Sequence, residues 1–291
     1  MRRVLLLLLA SAACGPAAVE PAGRGADGRP LLRVVSWNVH DLFDEVDRIE
    51  PPGELDEVPS PAEVERRLDL VAATLRRLDA DVVLLQEVED LPLLERLAAR
   101  TGHPEARLLD GQDPRGIDVA LLARWPVTAY QGQAGARAPD GRALWPRDAV
   151  TARIETGGAG LVLVGTHLSS HLSDPDGARR GVQAAALRAL ADAAVLGAPG
   201  ALALVGGDLN DPAEAPALAP LLGDGAWLDP LAALPAAGRW TWSDGQVRQP
   251  FDHLLVPAGQ AGRVVAAWVD AGQDAAAASD HRPVVLDLAP P

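Results

Sequence analysis

From Leu31 onward the chain sets short apolar runs against stretches in which apolar residues recur every three or four positions. The first run, LLRVVSW (31–37), reads as a buried strand. Ser60, Pro61 and Glu63 form a capping-box signature with proline at the first helical position. Val64, Leu68, Val71, Ala72 and Leu75 follow at helical spacing and predict an amphipathic helix over 61–78. DVVLLQE (81–87) is a second buried strand, and LPLLERLAAR (91–100) a short helix. Strands are predicted near 117–123, 149–155 and 161–168, then a helix from about Asp176 to Leu196. Further strands fall at 201–207, 251–256, 263–269 and 283–288. Helices alternate with strands, yet strands after residue 118 are joined by short loops, which implies an α/β fold with mixed sheets and helices outside them. No repeat of solenoid length and no second linker break the pattern, so 31–291 is expected to be one domain.

The segment before Leu31 has a different grammar. MRRVLLLLLASAAC places two arginines ahead of an apolar stretch too short to span a bilayer as a mature helix, then small residues before the only cysteine. Residues 1–13 therefore read as an export signal. SAAC resembles the lipobox of bacterial lipoproteins, in which cleavage leaves the cysteine lipidated, here Cys14; an ordinary secretory signal cut nearby is the alternative. Residues 14–30, rich in Gly, Ala and Pro, read as a flexible tether. A single cysteine forms no intramolecular disulfide.

Composition adds a constraint. Of 291 residues 48% are hydrophobic, enough for a large core. There is no lysine, and 26 arginines face 40 acidic residues for a net charge of −14. Loss of Arg2 and Arg3 with the signal takes this to −16. Such a chain exerts no general pull on nucleic acid or anionic lipid, so a phosphate-bearing substrate needs local arginines and a bound cation.

Several apolar strands end in acid, amide or imidazole: Asn38, Glu87, His167, Asp208 with Asn210, and Asp280 with His281 just before the last strand. Singly, each has a turn or capping explanation. Together, at the ends of separate buried strands, they form a set, and strand ends are where α/β folds build sites. Carboxylates with Asn and His, and no Cys cluster, suit a hard divalent cation such as Mg²⁺. Zinc is possible with six histidines, but no His-x-x-x-His pair lies on a helix. Hydrolysis of a phosphoester uses all the parts: a cation, a carboxylate on the water and a histidine for the proton.

The stretches SWNVHDLFD, LLQEVED, GIDVALLARWPV, VGTHL, VGGDLND, GRWTWSDG with FDHLLVP, and SDHRPVVLDL resemble, in order, the motifs of the endonuclease/exonuclease/phosphatase superfamily, over Arg33 to Leu288. The resemblance implies a deoxyribonuclease I-like four-layer α/β sandwich, two mixed sheets face to face between helices. It also implies that Asn38 and Glu87 hold the metal (Mg²⁺, or Mn²⁺ or Ca²⁺) with help from Asp280. Asp208 would address the attacking water, Asn210 the phosphate, and His281 the proton, with Asp252 orienting that imidazole. His167 would be an acid for the leaving oxygen, and Arg147 a phosphate ligand.

One position departs from the pattern. Many relatives carry an acid two residues after the Asn, where this chain has His40. Either His40 replaces that carboxylate, or Asp41 or Asp44 supplies it, or His40 is a surface residue. Arg179 and Arg180 are open between a phosphate contact and a solvated helix face, and of Trp240 and Trp242 at least one is expected in the core. The implied activity is phosphodiester hydrolysis by an exported, lipid-anchored monomer at the outer membrane or cell surface, with nucleic acid as substrate. A phosphatase or sphingomyelinase/phospholipase-like esterase and a non-catalytic surface lipoprotein are the alternatives.

Overall fold

The computed structural model describes residues 31–46, 58–156 and 158–289. The signal, Cys14 and the tether lie outside the described residues.

The elements run β1 (Leu32–Leu42), α1 (Pro61–Leu78), β2 (Val82–Val88), α2 (Leu91–Thr101), β3 (Glu105–Leu108), β4 (Asp118–Ala123) and β5 (Val127–Gly132). β6 (Ala149–Ile154), β7 (Leu161–His167), α3 (Ala178–Gly197), β8 (Leu202–Asp208), α4 (Ala219–Leu222) and β9 (Trp227–Leu228) follow. The chain ends with β10 (Trp242–Ser243), β11 (Arg248–Gln249), β12 (Asp252–Pro257), β13 (Val264–Val269), α5 (Gln273–Ala278) and β14 (Val284–Leu288).

Two mixed sheets of six strands, ordered β13-β14-β1-β2-β4-β3 and β5-β6-β7-β8-β12-β9, make the two inner layers. Strand alternation explains the packing. Leu32 and Val34 of β1 face the second sheet and share a core with Leu84, Leu121, Leu163, Leu204, Leu254 and Leu286. Val35 and Trp37 face the other way and are covered by Leu68 and Leu75 of α1, Leu94 and Leu97 of α2, and Ala275 of α5. On the far side Leu187 and Ala191 of α3, with Leu221 of α4, cover Val164, Val205 and Leu255. The result is the deoxyribonuclease I-like α/β sandwich.

The predicted helix over 61–78 is observed with its capping box closed: Ser60 Oγ accepts from Glu63 N, and Glu63 Oε2 accepts from Ser60 N at 2.9 Å. α3 begins two residues later than expected. Gly177, not Asp176, precedes it; Asp176 Oδ1 accepts from Ala178 N at 3.2 Å, and the carboxylate of Asp174 takes the next two N–H groups, those of Arg179 and Arg180, at 3.1 and 2.8 Å.

Topology gathers the polar strand ends. β1 and β2 are parallel, as are β7 and β8, so each pair finishes on one side. β12 runs antiparallel to β8 with Asp252 opposite Asp208, and β14 runs antiparallel to β1, so both start where their partners end. One end of the sandwich therefore collects Asn38, Glu87, His167, Asp208, Asp252 and His281.

Candidate active site

Backbone irregularity positions these side chains. Glu87 has φ 64° where the β2–β4 register slips between Gln86 and Val88, and His40 and Asp41 have φ 56° and 47° where the β1–β2 register slips after Asn38. Asn210 has φ 55°. Left-handed conformations are uncommon for residues with a Cβ and cluster where function fixes the chain. At Gly207, φ is 134° and an added Cβ would stand 1.8 Å from the Thr166 carbonyl oxygen, so this position admits no side chain. Gly207 thus lets β8 close on β7, and the turn that follows is made by Asp208, whose Oδ1 accepts from Asn210 N at 2.9 Å. Asp208 ends β8 and Asn210 lies beyond it in left-handed backbone, so the two are not side by side on an extended strand.

The residues meet at a cleft of about 1190 Å³. Asn38 Nδ2 donates to Glu87 Oε1 and to Asp208 Oδ2, both at 3.1 Å, and so ties two carboxylates together. Glu87 Oε2 accepts from Asp41 N at 2.8 Å. His281 Nδ1 stands 2.7 Å from Asp252 Oδ2, and its Nε2 lies 3.9 Å from Asp208 Oδ2. His167 Nε2 is 3.3 Å from the same oxygen. Asp252 Oδ1 and His167 Nδ1 are buried without a hydrogen-bond partner.

Charge follows from this packing. Burial first, and then the charge of Asp252, push the Asp208 carboxyl up to about 7. Burial opposes the His281 imidazolium, yet the charge and hydrogen bond of Asp252, with the charges of Asp208 and Asp280, carry it up to about 10. Burial, aided by the charge of Arg147, holds His167 well below the usual range, so it is a neutral imidazole beside Asp208. A neutral group suits orientation of that carboxylate, and His167 also lines the cleft, where the resemblance places an acid for the leaving oxygen.

Asp280 is engaged at both oxygens, with His40 Nδ1 at 2.7 Å and Trp242 Nε1 at 2.9 Å. His40 is raised above its ordinary value, first by the Asp280 hydrogen bond. His40 is therefore the partner of Asp280, which lines the cleft with a protein donor on each oxygen, as Glu87 does. Asp41 supplies an acid at the cleft, its Oδ1 held by Arg115 NH1 at 2.9 Å, whereas Asp44 binds its own loop through Val46 N.

Arg147 lines the cleft, with Nε on Asp113 Oδ2 at 2.9 Å and NH1 on the Leu168 carbonyl at 3.1 Å, the carbonyl that Asn210 Nδ2 also reaches. Arg179 also lines it. Arg180 does not: it is buried, with Nε on Asp211 Oδ2 at 2.6 Å and NH1 on the carbonyls of Ser169 and Asp174. Thr241, not a tryptophan, is the buried residue of its stretch; both Trp240 and Trp242 are partly exposed.

Sequence reasoning missed His171, Phe251 and Arg115. His171 stacks on Phe251 at 5.4 Å and contacts Asp211 Oδ1 at 3.1 Å. Only the proximity of Asp211 to VGGDLN signalled that pairing.

The donors suit a hard cation. Asp208, Asp252 and His281 each bring one ligand atom within 4.8 Å of the others, but a protonated His281 bound to Asp252 must lose its proton to ligate. Glu87 and Asp208, bridged by the Asn38 amide whose oxygen accepts from His40 N at 2.9 Å, form the oxygen-rich alternative that Mg²⁺ prefers.

Solved structures share this fold. An endonuclease/exonuclease/phosphatase structure from Beutenbergia cavernae matches with a TM-score of 0.65 and 22% identity, over 90% of this chain and 72% of that one. The human nocturnin catalytic domain with bound sulfate matches at 0.64 and 17%, over 90% and 95%. Sphingomyelinase C from Streptomyces griseocarneus matches at 0.56 and 20%, over 89% and 100%. No curated protein matches the sequence. The sequence model of the endonuclease/exonuclease/phosphatase family matches residues 35–281, and the chain belongs to that family of phosphoester hydrolases.

Proposed function

We propose that this chain is a metal-dependent phosphodiesterase that cleaves nucleic acid outside the cytoplasm, held to the membrane through lipidated Cys14. The observation that carries the reading is the buried pair of Asp208, titrating near neutrality, and His281, held cationic by Asp252 beside it. Asp208 takes a proton from the attacking water, a task matched to a group with pKa near 7. The His281 imidazolium donates through Nε2 to the phosphoryl oxygens and stabilises charge that grows in the transition state. Neutral His167 fixes the Asp208 carboxylate, and Arg147 and Asn210 hold a non-reacting oxygen. Mg²⁺, bound by Glu87 and Asn38, would supply further charge neutralisation at the phosphate.

The test uses protein beginning after Cys14, with Mg²⁺, Mn²⁺ or Ca²⁺, on plasmid and single-stranded DNA and on RNA. Metal-dependent cleavage lost in Asp208→Ala and His281→Ala is expected. Intact nucleic acid across all metals would sink the nuclease reading.

A second reading, an esterase of phospholipid headgroups, is favoured by Leu172, 98% exposed, and Val247, 47% exposed, both on the rim of the cleft. Release of phosphocholine from sphingomyelin vesicles with nucleic acid untouched would select it.

A further inference from the structure

Most described arginines spend their guanidinium on a carboxylate or a carbonyl, as Arg77 does on Asp270 and Asp274 and Arg180 on Asp211. Arg248 and Arg282 have neither partner among the described residues. Both lie over one indole instead: Arg282 Cζ is 3.3 Å and Arg248 Cζ 4.5 Å from the centroid of Trp240. Arg239, the residue before Trp240, has its Nε buried without a hydrogen bond. The acids nearby are committed. Asp270, whose field reaches Arg282, is held by both terminal nitrogens of Arg77, and Asp244 accepts from Gln246 N and Val247 N.

Two cations on one ring repel each other, and the quadrupole of the indole offsets only part of that. Burial and then the charge of Arg248 lower the affinity of Arg282 for its proton, which marks the same unfavourable crowding. In a chain of net charge −14, carboxylates are abundant enough to relieve it, yet among the described residues none is paired with either guanidinium. An anion from outside completes the arrangement.

Position says which anion. Arg282 directly follows His281, and the segment carrying Trp240 is tied to it through Arg282 N on the Thr241 carbonyl and Ser243 N on the Asp280 carbonyl. Trp242 and Gln249, paired across the β10–β11 ribbon, and Val247 beside it wall the cleft, while Trp240, Arg248 and Arg282 lie outside that lining, so the patch sits beyond the cleft's rim. We propose that Arg248 and Arg282, stacked on Trp240, form a second phosphate subsite that holds the nucleic-acid backbone beyond the scissile bond. The inference rests on the phosphodiesterase reading and deepens it, since a subsite for another phosphate serves a polymer and not a monoester. A membrane surface fits less well, because the indole that would insert into lipid is engaged by guanidinium groups.

The experiment compares wild type with the Arg248→Ala/Arg282→Ala double variant and with Trp240→Phe, using a short single-stranded oligonucleotide and bis(para-nitrophenyl) phosphate, a diester with one phosphate. For the double variant, kcat/KM on the oligonucleotide divided by that on the small diester is expected to fall about tenfold, and the salt dependence of oligonucleotide binding to lose a slope of about 1. Trp240→Phe, which keeps a ring under the cations, is expected to fall between the two. An unchanged ratio with an unchanged salt slope overturns the subsite. If wild type turns over neither substrate, the phosphodiesterase reading fails, and metal-free binding of a fluorescent oligonucleotide still judges the patch: equal anisotropy curves overturn it. Binding to phosphatidylglycerol vesicles lost in the double variant, with oligonucleotide binding intact, overturns it in favour of a lipid surface.

Discussion

The two ends of β1 each bury charge, and they do so in opposite ways. At the start, Arg33 is 1% exposed and its guanidinium is fully engaged: Nε and NH2 take the two oxygens of Asp287 at 2.7 and 2.8 Å, and NH1 takes the Leu78 carbonyl at 2.8 Å. At the far end, Asp208, Asp252, His167 and His281 are equally buried, but two polar atoms lack partners, two carboxylates repel, and four residues with a Cβ adopt left-handed backbone. A saturated network fixes a fold, and an unsaturated one keeps capacity for a ligand.

The sharpest way to break this comparison is Asp208→Asn. If the unsaturated end exists for chemistry, kcat falls about 10²–10⁴-fold, while Tm holds or rises because a repulsive charge is gone. A Tm drop that accounts for the rate loss would make Asp208 a structural residue. Next is Arg33→Ala, which strands Asp287 and is expected to cost about 3–5 kcal/mol, measured by urea unfolding. The folded fraction should keep its kcat. Loss of rate without loss of stability there would erase the contrast.

The third prediction concerns pH. The Asp208 and His281 values belong to a linked set, so activity should rise as Asp208 ionises near 7 and fall as His281 deprotonates near 10. Asp252 raises both. Asp252→Asn therefore slides both limbs of the kcat profile toward acid: Asp208 ionises more easily and His281 loses its proton sooner. Narrowing of one limb alone would mean that Asp252 acts on one group only. The same signs apply to stability. The raised His281 favours the folded state below its unfolded pKa, and this contribution is lost as pH climbs toward 10, while the raised Asp208 subtracts stability above its unfolded pKa.

The layers were legible from periodicity because buried strands are apolar on both faces and α1 and α2 carry clear stripes. β3 and β5 were not: their residues are only partly buried edges, as in VTAYQG, and the pattern there is weak. α5, QDAAAA, is too short to show a period. Site membership was legible because polar residues at strand ends stand out against apolar runs. Pairing was not, since His40 with Asp280 and His171 with Asp211 join segments far apart in sequence that only the topology brings together.

Arg180 stands between the two kinds of network and gives the smallest and most discriminating test. It is as buried and as well bonded as Arg33, but the acid it holds, Asp211, follows Asn210 directly and also contacts His171 in the cleft. Lysine at this position keeps the charge and loses the planar fork, so it reaches Asp211 or the carbonyls of Ser169 and Asp174, not all three. Arg180→Lys should cost roughly 1–3 kcal/mol in urea unfolding, as other broken buried hydrogen bonds do. If the clamp also sets the Asp208–Asp211 turn, kcat falls as well, by less than about tenfold, with KM for a phosphodiester rising as Asn210 drifts. If stability falls and both kinetic constants hold, saturation marks structure even one residue from the site, and the division between the two ends of the sandwich is a sharp one.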